Sequence, residues 1–238
     1  MSIFLSETEI ARFLGQNLPV TRKALKSSKL KSIQKRGQKV FHRDDVLNWL
    51  AEKFTSLTSE RLIKADHSSA DYGGLDPLSC GVTNLLKSGE ISFAEKVSTR
   101  SKMLRYIADK AVKCGAVYDA TALREQLNNR EEVISTALKC GAALVHPFDI
   151  KQLYIERELL LLVIPPHPIP FGESSGRLTS LFFLLLFPDP HRHVHVLARL
   201  NRLLRNDTFI NNILDSSKTT EVLNILLEHE LNIISTRR

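Results

Sequence analysis

Behind Ser6-Glu7-Thr8-Glu9 the apolar residues Ile10, Phe13 and Leu14 recur at helical spacing. A serine three positions ahead of a glutamate is the signature of a capping box, in which each side chain satisfies the other's backbone N–H. The pattern predicts a first helix that stops at Gly15. A second short helix is predicted from Pro19 or Val20 to about Ser27, with the proline in its first turn. Lys31–Phe41 contains Arg36-Gly37-Gln38, which reads as the turn between two short strands. A third helix opens at Asp44-Asp45 and runs through Val46, Leu47, Trp49 and Leu50 to about Phe54. Periodicity then fades. Ser, Thr, Asp and Gly accumulate, notably in His67-Ser-Ser-Ala-Asp-Tyr-Gly-Gly74, and residues 56–80 read as a linker with room for a helical turn around Ser59–Lys64.

From Gly81 onward helical and strand patterns intermix. Met103, Leu104, Ile107, Ala108 and Ala111 predict a helix over Thr99–Lys113, and Asp119 caps another over Ala120–Glu131. Continuous apolar runs predict buried strands at Ala142–Val145, Leu159–Ile164 and Leu181–Phe187. Asp189-Pro190 opens a long helix to about Asn206, Asp207 starts a further one, and Thr219–His229 forms the last. The expected class is α/β: a mixed-sheet α/β sandwich over 81–238, preceded by a small, mostly helical domain over 1–55.

Charge sharpens that division. The chain of 238 residues carries a net charge of +7. Residues 1–64 hold 13 Lys/Arg against 6 Asp/Glu, and the remainder is balanced. All the excess positive charge therefore lies in the first quarter, where it suits a polyanionic partner. Nothing in the opening residues resembles an export signal, and the apolar runs are far shorter than the roughly 20 residues that span a bilayer. Cys80, Cys114 and Cys140 are odd in number and lack C-x-x-C spacing, which argues against disulfides or zinc and for the cytoplasm. No Walker loop, dinucleotide fingerprint or serine elbow appears, so no cofactor is expected.

Between Gly15 and Asp44 lie nine Lys/Arg with no acid among them. Two helices, a basic turn and a short hairpin follow the logic of a helix-turn-helix with a wing; the same features also describe a solvated basic face or a protein-binding winged helix. Glu9-Ile-Ala-Arg-Phe-Leu-Gly15, Thr21-Arg-Lys-Ala-Leu-Lys26 and Gly37-Gln-Lys-Val-Phe-His-Arg-Asp-Asp-Val-Leu-Asn-Trp-Leu50 resemble the excisionase/MerR-like winged-helix family. That resemblance implies DNA as a partner. Thr21, Arg22, Lys23 and Lys26 would read the groove, and Arg36 and Lys39 would touch the backbone.

Further on, Arg130-Glu-Glu-Val-Ile-Ser-Thr-Ala-Leu-Lys-Cys-Gly-Ala-Ala-Leu-Val-His146 resembles, without a gap, the signature R-E-x-x-G/I-S-T-G-I-G-N-G-I-A-I-P-H. That signature belongs to phosphotransferase-system enzyme IIA of the fructose, mannitol and nitrogen-regulatory type. Leu184-Leu-Leu-Phe-Pro-Asp-Pro-His-Arg-His193-Val-His195-Val-Leu-Ala-Arg-Leu resembles that family's later strand and helix. The resemblance implies that His146 accepts a phosphoryl group from an HPr-type phosphocarrier protein, with His193 as the second active-site histidine. Spacing alone also describes an inert histidine at a strand end. The chain departs from the pattern at Ala137, Lys139, Cys140 and Val145, and at Pro147-Phe148, where Gly-Lys or Gly-Arg is usual. The usual cation is thereby lost, with Lys139 as a candidate substitute. A binding protein that has lost the chemistry and uses this domain for homodimerisation or partner docking is the competing expectation. Arg199, Arg202 and Arg205 read as the solvated edge of their helix, and His191, His193 and His195 do not share a helix face as metal ligands would.

Overall fold

A computed structural model describes residues 3–76 and 80–235. The chain divides into two compact units. The first takes residues up to Cys80 together with Asp189–Arg202, and the second takes Gly81–Pro188 and Leu203 onward.

In the first unit, β1 (Phe4–Ser6), β2 (Ser32–Lys35) and β3 (Gln38–His42) form an antiparallel sheet in the order β1-β3-β2. Arg36 and Gly37, at φ +50° and +73°, make the tight turn between β2 and β3. Two successive positive φ values match the right-handed twist of a hairpin, and glycine supplies one of them without strain. Helix α1 (Glu7–Phe13) opens on the capping box, with the Ser6 N–H donating to Glu9 at 2.7 Å and the Glu9 N–H to the Ser6 hydroxyl at 3.3 Å. Helix α2 (Leu18–Lys26) is capped by Asn17, whose Oδ1 accepts from the Val20 N–H at 3.1 Å. Helix α3 (Arg43–Ser56) buries Val46, Leu47, Leu50 and Phe54.

Residues 56–80, expected as a linker, instead carry helix α4 (Ser59–Gly73), closed by Gly74 in the left-handed conformation. Its buried stripe is Leu62, Ala65, Asp66, Ser69 and Ala70, which keeps helical spacing but is built mostly of small and polar residues. Small side chains let α4 approach α1 closely. At Gly15, φ +58°, a Cβ would lie 2.6 Å from the carbonyl oxygen of Lys64. Helix α8 (Pro190–Leu203) packs into this same unit.

The second unit contains α5 (Val82–Leu85), β4 (Ile91–Phe93), α6 (Arg100–Lys113), α7 (Ala120–Val133), β5 (Ala142–Val145), β6 (Leu159–Ile164), β7 (Leu181–Leu186), α9 (Asp207–Asp215) and α10 (Thr219–Ser235). Its mixed sheet runs β4-β6-β7-β5, parallel at both outer pairs and antiparallel between β6 and β7. Strands β5, β6 and β7 are buried along their whole length, which is why they read as unbroken apolar runs rather than as alternation. Alternate residues Ala143, Val145, Leu161, Val163, Phe182 and Leu184 share one core with Met103, Ile107, Leu123 and Leu127 of α6 and α7. Helix α7 is thus fixed against the sheet, with Asp119 accepting from the Thr121 and Ala122 N–H groups at its start.

Among the described residues no helix is long and apolar enough to cross a membrane.

Candidate functional site

His146 follows directly on β5, whose register with β7 pairs Val145 with Leu184. Its side chain is nearly enclosed, at 3% exposure. The ring Nδ1 lies 2.8 Å from the Leu144 carbonyl oxygen. A carbonyl only accepts, so Nδ1 carries the ring proton. On the other side the Arg130 Nε–H donates to His146 Nε2 at 3.2 Å. A nitrogen that accepts keeps its lone pair, so the two contacts select one neutral tautomer, protonated at Nδ1 and basic at Nε2.

Arg130 comes from the last turn of α7 and is almost wholly buried, with Nη1 donating to the Ile134 carbonyl at 2.6 Å. The neighbouring Glu131 carboxylate accepts from the Thr136 N–H at 3.1 Å and from the Thr136 hydroxyl. Burial pushes this carboxyl up, against the opposing pull of Thr136, Ser135 and Arg130. The Leu144 N–H donates to Thr136 O at 3.2 Å, laying the 134–137 turn beside β5. The stretch from Arg130 to His146 is therefore one folded-back structure that ends with its two terminal side chains in contact.

Lys139 is exposed in the turn before β5, at the opposite end of the strand from His146. The positive charge that lies against the His146 ring is that of Arg130, sixteen residues earlier. The motif by itself gives Arg130 no role, because its contact with His146 depends on the chain folding back over the intervening turn.

The segment after His146 is also held by α7. The Phe148 N–H donates to the Gln126 carbonyl and the Asp149 N–H to Gln126 Oε1, both at 3.1 Å. Gln126 Nε2 donates to Gln152 Oε1 at 2.8 Å.

His193 lies in the first unit, on α8, with 4% exposure. Burial, then the charge of Arg43, pushes its imidazole down to about 4, so it is neutral near pH 7. Arg43, also buried, donates from Nε to Asp44 at 3.0 Å. Two residues beyond His193, His195 Nδ1 sits 3.1 Å from the fully buried Asp66 carboxylate of α4. Arg199 Nε donates to the same carboxylate at 2.9 Å, and Arg202 Nη1 joins it. Burial alone would raise Asp66; His195, Arg199 and Arg202 together hold it well below the usual carboxylate range. Arg199 and Arg202, expected on a solvated edge, are thus interior partners of a buried acid, whereas Arg205 is exposed. His191 packs edge-on against Phe13 and Tyr72.

Of the expected groove-reading set, Thr21 is withdrawn. It is completely buried and its hydroxyl donates to the Asn17 carbonyl at 3.1 Å, because it shares the inner face of α2 with Leu25. Arg22, Lys23 and Lys26 are exposed on the outer face, and Arg22 is paired with Glu7 at 2.8 Å. Arg36 stands at the hairpin tip. Lys39 is exposed, its ammonium 5.7 Å from the Phe41 ring centroid, and Lys35, not singled out from the sequence, lies 4.9 Å over Phe4. Among the described residues no three His, Cys, Asp or Glu side chains converge as a metal site.

Comparison with known proteins places residues 84–229 within the family described as phosphoenolpyruvate-dependent sugar phosphotransferase system, EIIA 2. The fructose-specific EIIA component of the phosphotransferase system from Haloferax volcanii is 24% identical over 140 residues, covering 58% of this chain and 89% of that protein. Among solved structures, the nitrogen regulatory protein IIA-Ntr of Neisseria meningitidis superposes with a TM-score of 0.54 at 21% identity, over 61% of this chain and 98% of that one. IIA mannitol of Escherichia coli gives 0.52 at 20% identity, over 59% and 98%. A structure of that enzyme IIA in complex with phosphorylated enzyme IIB gives 0.52 at 19%, over 60% and 97%. These structural likenesses carry the fold.

Proposed function

Because the chain belongs to the phosphoenolpyruvate-dependent sugar phosphotransferase system EIIA 2 family, we propose that it is a cytosolic regulatory phosphocarrier that accepts a phosphoryl group on His146. The donor is an HPr-type phosphocarrier protein, and phosphorylation at His146 regulates DNA binding by the basic N-terminal segment, read as a winged helix-turn-helix. The observation that carries the reading is the His146–Arg130 pair. With its proton held at Nδ1 by the Leu144 carbonyl, the ring offers the Nε2 lone pair to phosphorus. To free that lone pair, Arg130 shifts its N–H from Nε2 to the phosphoryl oxygens as phosphorus approaches, where a guanidinium offsets their charge. As the new N–P bond forms, the donor's own bond to phosphorus breaks and its electron pair returns to the donor. His193 enters through the resemblance alone, as the second histidine, and as a neutral imidazole it can donate a hydrogen bond without adding charge.

The DNA half rests on the basic faces of α2 and the hairpin, where Arg22, Lys23, Lys26, Arg36 and Lys39 are exposed. Incubation with phosphoenolpyruvate, enzyme I and HPr is expected to leave acid-labile phosphate on the wild type and none on His146→Ala. No label on the wild type overturns the phosphocarrier reading. A second reading would then stand, favoured by the near-complete enclosure of both His146 and His193 and by Pro147-Phe148. In it the domain has lost phosphoryl chemistry and serves dimerisation or partner docking for a DNA-binding regulator.

A further inference from the structure

We propose that Gln126 is a positioning residue for His146: it locks the segment that follows the histidine, so that the ring keeps its place while Arg130 exchanges its bond. The proposal rests on the reading of His146 as phosphoacceptor. Gln126 and Arg130 are four residues apart on α7 and so project from one face of the helix, one turn apart. Both are buried, beside the apolar pair Leu123 and Leu127. A buried primary amide is costly unless its donor and acceptor are matched. Here both are matched, and each points at the segment behind His146.

The need for such a device follows from Pro147. Proline has no N–H, so the first backbone donors after His146 that anything can grip are those of Phe148 and Asp149. Gln126 takes both, the first on its main-chain carbonyl and the second on Oε1, each at 3.1 Å. Its Nε2 reaches Gln152 at 2.8 Å, and Gln152 Nε2 in turn donates to Asp149 Oδ2 at 3.2 Å. His146 is thus anchored by β5 on one side and by Gln126 on the other. When Nε2 gives up its bond from Arg130 in order to attack phosphorus, the ring keeps its Nδ1–H bond to Leu144, and the backbone beneath it cannot drift. Small displacements at a reacting atom are expensive, up to about a hundredfold in rate for roughly 1 Å.

Gln126→Ala and Gln126→Glu separate positioning from bulk stability. The alanine variant loses both side-chain bonds and keeps the carbonyl bond to Phe148. The glutamate variant retains an acceptor for Asp149. Single-turnover phosphorylation by HPr at saturating donor is expected to fall about tenfold or more in Gln126→Ala, with the donor concentration for half-maximal rate unchanged, and to recover largely in Gln126→Glu. In ¹⁵N spectra the His146 ring is expected to change from one tautomer in the wild type to an averaged pair in Gln126→Ala. Should the alanine variant not fold, Gln152→Ala removes the far end of the 2.8 Å bond without touching α7, and a smaller loss in the same direction is expected. Wild-type rate and wild-type ring shifts in the folded variants would overturn the proposal. If the wild type takes no phosphate, the phosphocarrier reading falls, while the ring spectra still decide whether Gln126 holds His146.

Discussion

At His193 a neutral imidazole is built into the interior, and acid works against it. Its folded value is about 4 against an ordinary 6.5. Above 6.5 neither state binds the proton and the folded chain keeps its full stability. Between 6.5 and 4 the unfolded chain protonates first, so stability falls, by about 3 kcal/mol once pH reaches 4. Urea unfolding at pH 7, 5.5 and 4.5 should show midpoints falling in that order, with a smaller fall in Arg43→Met, which removes the second cause of the depression. Equal falls in the two proteins would show that Arg43 does not act on His193. Asp66 works lower down: held below its ordinary value, it contributes above pH about 3.8 and is lost in stronger acid. At this scale the sequence was partly legible. The unbroken register from Arg130 pointed to His146 as a candidate, but the pairing of its two ends required the fold. Charge marks only the outer face of α2, at Arg22, Lys23 and Lys26, whereas Thr21 and Leu25, four apart, mark its inner face.

Among the elements, α4 was the one hidden from view. Its buried positions keep helical spacing, yet Ala65, Asp66, Ser69 and Ala70 carry so little apolar weight that composition reads as linker. What fixes the helix is one carboxylate shared by His195, Arg199 and Arg202. Replacing one partner of a buried ion pair strands the others, at a cost of about 3–5 kcal/mol. Asp66→Asn, which keeps the shape and removes the charge, should therefore lower the urea midpoint strongly at pH 7. A change near zero would mean that the guanidiniums find water. Gly15→Ala tests the same packing from α1. Its positive φ and a Cβ 2.6 Å from the Lys64 carbonyl predict destabilisation of roughly 1–3 kcal/mol. Strands β5, β6 and β7 were legible to within a residue, because burial on both faces writes itself as a continuous apolar run, whereas β1 and β4, three residues each, are too short to show a pattern. The amphipathic pattern of α8 was legible too, but whether its polar side meets water or a buried acid depends on α4.

For the whole molecule, the placement of charge carries the strongest expectation. If the N-terminal segment binds duplex DNA, log affinity should fall linearly with log salt, and Lys23→Ala, Lys26→Ala, Arg36→Ala or Lys39→Ala should each flatten the slope by about 1 where that side chain meets a phosphate. Binding indifferent to salt would remove that half of the reading. Arg22 is a poorer choice for such a test, since Glu7 already neutralises it.

The Asp66 cluster also has a history in time. Its partners lie 129 to 136 residues downstream. A ribosome adding about 5–20 residues per second needs roughly ten seconds to supply them. Through that interval α4 has been made without the residues that neutralise its inner carboxylate, and the first unit stays incomplete until Arg202 has been added.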